Sequence, residues 1–152
     1  MGSVNYEVDG RVAILTLNRP DSLNAVNPEM VAGLLAASSR AAGDSAVRAV
    51  VVRGAGKSFM AGGDLRWFRE QLALPAGQRQ ARFSELIAGV HASILNFKRM
   101  EKPVVAAVHG AVAGFGLSLM LAADLALAAE DAYFTLAYSN IALSPDGGAT
   151  WS

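Results

Sequence analysis

From Ala46 to Val52 the chain is a nearly continuous apolar run rich in valine, with Arg48 its one charged member. A strand with water on one side alternates apolar and polar residues, so a run that does not alternate has both faces covered. Valine's branched Cβ also favours the extended backbone. The run therefore predicts a strand in a parallel sheet overlaid by helices. Another strand, Val104–Val108, restarts the chain after Lys102-Pro103.

The rest of the pattern fits around these two strands. Val4–Val8 and Arg11–Leu17 are β-rich runs separated by Asp9-Gly10, a hairpin signal. Asn18-Arg19-Pro20-Asp21-Ser22 breaks the pattern as a loop. Asn27-Pro28-Glu29 reads as an N-cap, a first-turn proline and an acidic residue matched to the helix dipole. Met30, Val31, Leu34 and Leu35 share one face of the helix that follows, and Gly43 ends it. Gly54 to Ser58 is a loop. Asp64 to Leu74 reads as a short helix closed by Pro75-Ala76-Gly77. From Ala81 to Met100 the apolar residues Phe83, Leu86 or Ile87, Val90, Ile94 and Phe97 recur every three or four positions, the period of an amphipathic helix. Gly110 to Gly116 is a glycine-punctuated loop, and Leu117–Ala122 a short apolar helix. Leu125–Ala128 and Tyr133–Thr135 are further strands, and Ser144-Pro145-Asp146-Gly147-Gly148 is a turn. Strands alternating with helices give an α/β fold, read as one domain over 1–152.

Composition narrows the function classes. Hydrophobic residues make up 53% of the chain, and 13 basic residues balance 13 acidic ones. That neutrality argues against a general electrostatic grip on nucleic acid or on an anionic membrane. With no cysteine, disulfides, thiolate metal sites and cysteine nucleophiles are excluded. Two histidines far apart in sequence do not make a histidine-rich metal site, so no metal is expected. The apolar region from Val104 to Ala129 is broken by His109, Asp124 and several glycines into pieces too short to span a bilayer. The first seven residues carry no basic segment followed by an apolar one. A soluble cytoplasmic protein is the resulting expectation.

Two segments point to chemistry. Ala61-Gly62-Gly63-Asp64 and Ala113-Gly114-Phe115-Gly116 each place glycine directly before a helix. The first N–H groups of a helix lack internal partners and lie at the positive end of its dipole. Glycine lets a ligand approach that backbone closely. Two such starts facing one point would hold a developing oxyanion. Either loop alone is an ordinary structural feature.

Taken with their surroundings, these loops resemble a known family. Asn18-Arg19-Pro20 followed by Leu23-Asn24-Ala25, then Lys57-Ser58-Phe59-Met60-Ala61-Gly62-Gly63-Asp64-Leu65, is similar to the pattern of the crotonase (enoyl-CoA hydratase/isomerase) superfamily. So are Lys102 to Gly110 running into Ala113-Gly114-Phe115-Gly116, the later Ala123-Asp124-Leu125, and Leu143 to Gly148. The likeness covers essentially the whole chain in the right order. It implies a core of ββα spiral turns, an acyl-CoA thioester as substrate with no separate cofactor, and trimers that often pair into hexamers. By motif position the oxyanion hole is the N–H of Gly63 and the N–H of Phe115. Leu23 to Ala25 and Ala61 to Leu65, with Gly63 and Asp64, are the positions that line coenzyme A. Arg19 or Lys57 either meets a CoA phosphate or is a solvated surface residue.

The likeness departs from the hydratase pattern at the proton-moving groups. Hydratases of the family use two glutamates, and the matching positions here are Ser118 and Tyr138. Ser118 reads as a packing or hydrogen-bonding residue, and Tyr138 as a hydrogen-bond donor or, in preference, as packing against substrate. Read from sequence alone, Asp146 is a turn former. The resemblance instead makes it the acid/base of isomerases in the family, or the nucleophile of 4-chlorobenzoyl-CoA dehalogenases. A carboxylate in an apolar pocket suits proton shuttling between the α- and γ-carbons, which favours isomerase over hydratase chemistry. A non-catalytic CoA-binding member is the third reading. His91, at a spacing also found in the dehalogenase, reads as structural or solvent-exposed. His109 reads as structural, Asp64 as a helix cap, and Trp67 and Phe68 as either pocket or core. Family members continue beyond the Gly-Gly turn with helices that cover the site. This chain is therefore expected to be an N-terminal portion without those C-terminal helices, exposing apolar surface and poorly soluble alone.

Overall fold

The structure, a computed structural model, describes residues 2–150. Met1, Trp151 and Ser152, the ends of the domain expected above, lie outside the described residues. Strands β1 (Val4–Asp9) and β2 (Val12–Leu17) form an antiparallel hairpin, turned at Gly10 with φ of 57°. β2 then pairs in parallel with β3 (Ala49–Gly54), β3 with β4 (Val104–Val108), and β4 with β6 (Leu125–Ala128). This gives a five-stranded sheet in the order β1-β2-β3-β4-β6. A second, two-stranded sheet joins β5 (Ala111–Ala113) to β7 (Tyr133–Thr135), and a bridge from Met60 to Val112 extends it. Successive turns of chain thus add one strand to the large sheet and one short segment to the small one.

The helices account for the spiral's return paths. α1 (Pro28–Gly43) begins where the Asn27 side chain accepts the Met30 N–H, at 2.9 Å, as the cap reading requires. α1 packs on α3 (Ala76–Arg99), and Met30, Leu34, Leu86 and Val90 enter one core with Leu15, Val50 and Val52. Burying each such leucine or valine is worth about 1.5–3 kcal/mol relative to exposure. α2 (Leu65–Gln71) and α4 (Phe115–Leu121) are short and follow the two glycine loops. No helix among the described residues is long and apolar enough to cross a membrane.

Several boundaries differ from the sequence reading, each for a local reason. The valine strand starts at Ala49 rather than Ala46, because Asp44 accepts the N–H of Ala46 through its side chain and that of Val47 through its carbonyl. Val47 is fully buried without belonging to the strand. α3 starts at Ala76, not Ala81: the Pro75 carbonyl accepts the Arg79 N–H, and the first turn is too polar and exposed to show apolar periodicity. Gly110 to Gly116 is not wholly loop, since Ala111–Ala113 is strand and α4 begins at Phe115. Ala111 to Ala113 is held between Met60 and β7, partners too distant in sequence for a local pattern to reveal.

The valine strand is also less enclosed than its composition suggests. Val50 and Val52 are sealed, as are Val104 and Ala106 beside them, while Val51, Val105 and Ala107 on the alternate face are half-buried. β6 is open on both faces, with Leu125 64% and Leu127 67% exposed, and Tyr133 and Phe134 of β7 are exposed beside it. The Ala-Asp step before β6 has a clear structural task. The Asp124 carboxylate accepts the Val104 N–H at 2.7 Å, and the Asp124 N–H donates to the Val104 carbonyl at 2.9 Å, which fixes where β6 joins β4.

Candidate functional site

The two segments expected to line coenzyme A run side by side. Ala61 N–H donates to the Leu23 carbonyl, Val26 N–H to the Gly62 carbonyl, and Asp64 N–H to the Val26 carbonyl. Leu23 and Leu65 are exposed, Ala25 and Asp64 are buried, and Ala61 and Gly63 lie between. Leu23 and Asn24 both have left-handed backbone, φ 50° and 56°, which is costly for non-glycine residues. Asn24 explains how the loop is held, a role the sequence reading gave it no credit for. Fully buried, its amide donates to the carbonyls of Ala55, Ser58 and Phe59, and its side-chain oxygen accepts the Arg19 N–H.

Arg19 turns inward. Its guanidinium bonds the Ala25 carbonyl at 2.6 Å and pairs with the Asp64 carboxylate at 2.9 Å, whereas Lys57 is exposed. Asp64 caps α2 by accepting the N–H groups of Arg66 and Trp67. Burial alone pushes the Asp64 carboxyl up, but the Arg19 hydrogen bond and charge and the two amides outweigh it, so the net shift is downward. A carboxyl held below its ordinary value contributes stability that is full above that value and is lost as pH falls through the folded one. Asp64→Ala is therefore expected to cost about 1–2 kcal/mol at pH 7. The wild-type advantage should shrink below about pH 4. Urea unfolding of both proteins at pH 7 and pH 3 checks this; an advantage that stays constant would contradict it.

The two glycine loops touch. A Cβ on Gly62, whose φ is 89°, would lie 3.3 Å from the Ala113 carbonyl oxygen, and one on Gly114 would lie 3.3 Å from the Gly62 Cα. A Cβ on Gly116 would come within 2.3 Å of the Met60 carbonyl oxygen. Met60, fully buried, ties the loops by accepting from Ala113 and donating to Ala111. Phe68 lies over Gly63 and packs edge-on against Trp67 and Phe83, so these aromatics form a small cluster beside the first loop. Neither Gly63 nor Phe115 donates its N–H to an acceptor among the described residues.

A third group assembles from positions far apart in sequence. Ser118 is buried, and its hydroxyl lies 3.5 Å from that of Tyr138, also buried. Gly147 packs so closely that an added Cβ would lie 2.7 Å from the Ser118 side chain and 2.9 Å from the Phe115 ring. Burial pushes the Tyr138 phenol up; Ser118 opposes, the Asp146 carboxylate adds to the rise, and the Gly147 N–H opposes it. Tyr138 thus remains a hydrogen-bond donor at neutral pH. Asp146 itself is exposed rather than enclosed in an apolar pocket, because residues 141–144 beside it are exposed as well. His91, exposed on α3, bonds the Asp146 carbonyl through Nε2 at 2.5 Å. His109 bonds the Gly56 carbonyl, a structural contact.

The sequence matches the family described as enoyl-CoA hydratase/isomerase over residues 12–152. It is 45% identical over 148 residues to the Mycobacterium tuberculosis protein named "Probable enoyl-CoA hydratase echA14", covering 97% of this chain and 55% of that protein. It is 37% identical over 147 residues to the 1,2-epoxyphenylacetyl-CoA isomerase of Escherichia coli, covering 95% of this chain and 54% of that one. The crystal structure of an enoyl-CoA hydratase from Polaromonas superposes with a TM-score of 0.88 at 38% identity, covering 99% of this chain and 57% of that one. The chain spans about half the length of the curated relatives it matches. Glycine loops in contact, the spiral of paired sheets and these likenesses agree, and the chain belongs to the enoyl-CoA hydratase/isomerase family, the crotonase superfamily.

Proposed function

We propose that the chain carries the thioester-binding and proton-transfer groups of an acyl-CoA enzyme, an enoyl-CoA isomerase in preference to a two-glutamate hydratase. The observation that carries this reading is the packing of the Asp146 turn, through Gly147, on Phe115 and Ser118 at the start of α4. The same turn therefore adjoins the second glycine loop, which in turn touches the first. In the proposed mechanism the thioester carbonyl oxygen lies between the N–H groups of Gly63 and Phe115. Loss of an allylic proton places charge on that oxygen, and fixed donors favour the charged form over the neutral carbonyl, lowering the barrier. Asp146 takes the proton from one carbon and returns it at the other. Moving a proton along an allylic system needs one base, whereas adding water needs a second group to position the water. Ser118 and Tyr138 supply no carboxylate for that second task.

Leu23, Ala25, Ala61, Asp64 and Leu65 would line coenzyme A, which is part of the substrate, so no step calls for a separate cofactor. Arg19 is committed to Asp64 and is not assigned to a CoA phosphate. Assembly as a trimer or a pair of trimers belongs to the same proposal, since the open β6 and β7 surfaces require a cover. Incubation with 3-enoyl-CoA, crotonyl-CoA and 4-chlorobenzoyl-CoA in deuterated, ¹⁸O-labelled water tests the reading. Deuterium at the α- or γ-carbon of a shifted enoyl product is expected. Label from ¹⁸O in the Asp146 carboxyl would instead establish an aryl-CoA dehalogenase with an aspartate nucleophile. Coenzyme A thioester binding without either label would leave a non-catalytic binding protein.

A further inference from the structure

We infer that His91 is a positioning residue, holding the Asp146 turn against α4 through its hydrogen bond to the Asp146 backbone carbonyl; the inference rests on the acid/base role proposed for Asp146. Besides this bond, the Asp146 carboxylate and the Gly147 N–H meet the Tyr138 hydroxyl, contacts that leave the Asp146 carbonyl itself unheld. Among the described residues the last backbone–backbone bond before it is Leu143 N–H to the Tyr138 carbonyl, and none is made by Ser144 to Gly147. On one side Gly147 is pressed on Ser118 and Phe115. On the other, His91 reaches the carbonyl of Asp146 itself.

His91 can act as a fixed point because its helix is anchored next to it. Val90 and Ile94, its neighbours on α3, are buried in the core, as are Leu86 and Phe97 a turn further on either side. The ring is exposed on that rigid helix, so it adds little to core packing. A carbonyl oxygen only accepts, so the bonded Nε2 must carry the hydrogen. Protonating the ring adds a hydrogen at Nδ1 and leaves that donor in place. A role of this kind needs a correctly placed N–H and no change of charge, which separates it from a base that activates water.

The test uses His91→Ala and His91→Gln in the whole protein. Loss of one hydrogen bond that sets the position of a reacting group is expected to lower kcat about tenfold in the alanine variant. KM should change less than about twofold, because no thioester contact is lost. The glutamine variant, whose side-chain amide also donates, should recover most of the rate. The pH–rate profile of His91→Ala should keep its shape and fall only in height, and the thermal midpoint should stay put. Imidazole ¹⁵N NMR of the wild type should show the Nε2–H form whether or not turnover is found. Full kcat in His91→Ala, an Nδ1–H tautomer, or a limb lost from the pH profile would each overturn the inference. A wild-type rate in Asp146→Asn would instead overturn the acid/base reading beneath it, so the two failures are told apart.

Discussion

Asp146→Asn is expected to lower kcat for isomerisation of a 3-enoyl-CoA by about 10²–10⁴-fold, the usual contribution of a placed acid/base. Asparagine matches aspartate in size and keeps the backbone carbonyl that His91 engages, but it takes up no proton at neutral pH. The KM should move little, because the proposed oxyanion donors and the coenzyme A surface lie on other segments. Stability should change by less than about 0.5 kcal/mol, since Asp146 is exposed and forms no ion pair among the described residues. The measurement is kcat and KM beside a thermal midpoint, with deuterium incorporation at the α-carbon as a direct count of proton removal. Asparagine enzyme that exchanges deuterium at the wild-type rate would mean that another group moves the proton.

How far the sequence reached follows from where each interaction lies along the chain. Local signals were read well: Asn27 caps α1, Gly10 turns the hairpin, and Leu86, Val90, Ile94 and Phe97 of the α3 stripe are buried, with Phe83 half-buried. Non-local ones were not. Nothing within a few residues of Val112 announces a strand, because its partners are Met60 and Phe134. Asn24 resembles any loop asparagine until three carbonyls from residues 55–59 close around its amide. The same holds at the candidate site. Motif positions singled out Gly63, Phe115 and Asp146, but the contacts linking Asp146 to His91, and Gly147 to Ser118, span 55 and 29 positions of chain. Arg19 is open to two readings because a solvated arginine and one paired with a helix cap look alike in sequence. Its Asp64 partner lies 45 residues away.

Gly114→Ala is expected to cut kcat/KM by about 10²–10³-fold, the usual loss when one oxyanion donor is removed, and stability by about 1–3 kcal/mol. The two losses have one cause. Gly114 holds φ 51° and ψ −120°, a combination that residues with a Cβ avoid. Its ψ sets the plane of the peptide that follows, and the N–H of that peptide is the one Phe115 is proposed to offer the thioester. An alanine there has two outcomes. If it keeps the native backbone, it carries the strain and presses its Cβ on Gly62, 3.3 Å away in the other glycine loop. If it relaxes to negative φ, the peptide swings and the Gly114 N–H leaves the Thr135 carbonyl it now meets at 3.0 Å. Gly77→Ala is the matched control, since Gly77 lies in α3 with nothing within 4 Å of an added Cβ. It should be neutral or more stable by up to about 1 kcal/mol, with full activity. Steady-state kinetics and urea unfolding of both variants decide the matter. A Gly114→Ala protein that is destabilised but turns over normally would separate the loop's shape from catalysis and remove Phe115 from the proposed oxyanion hole.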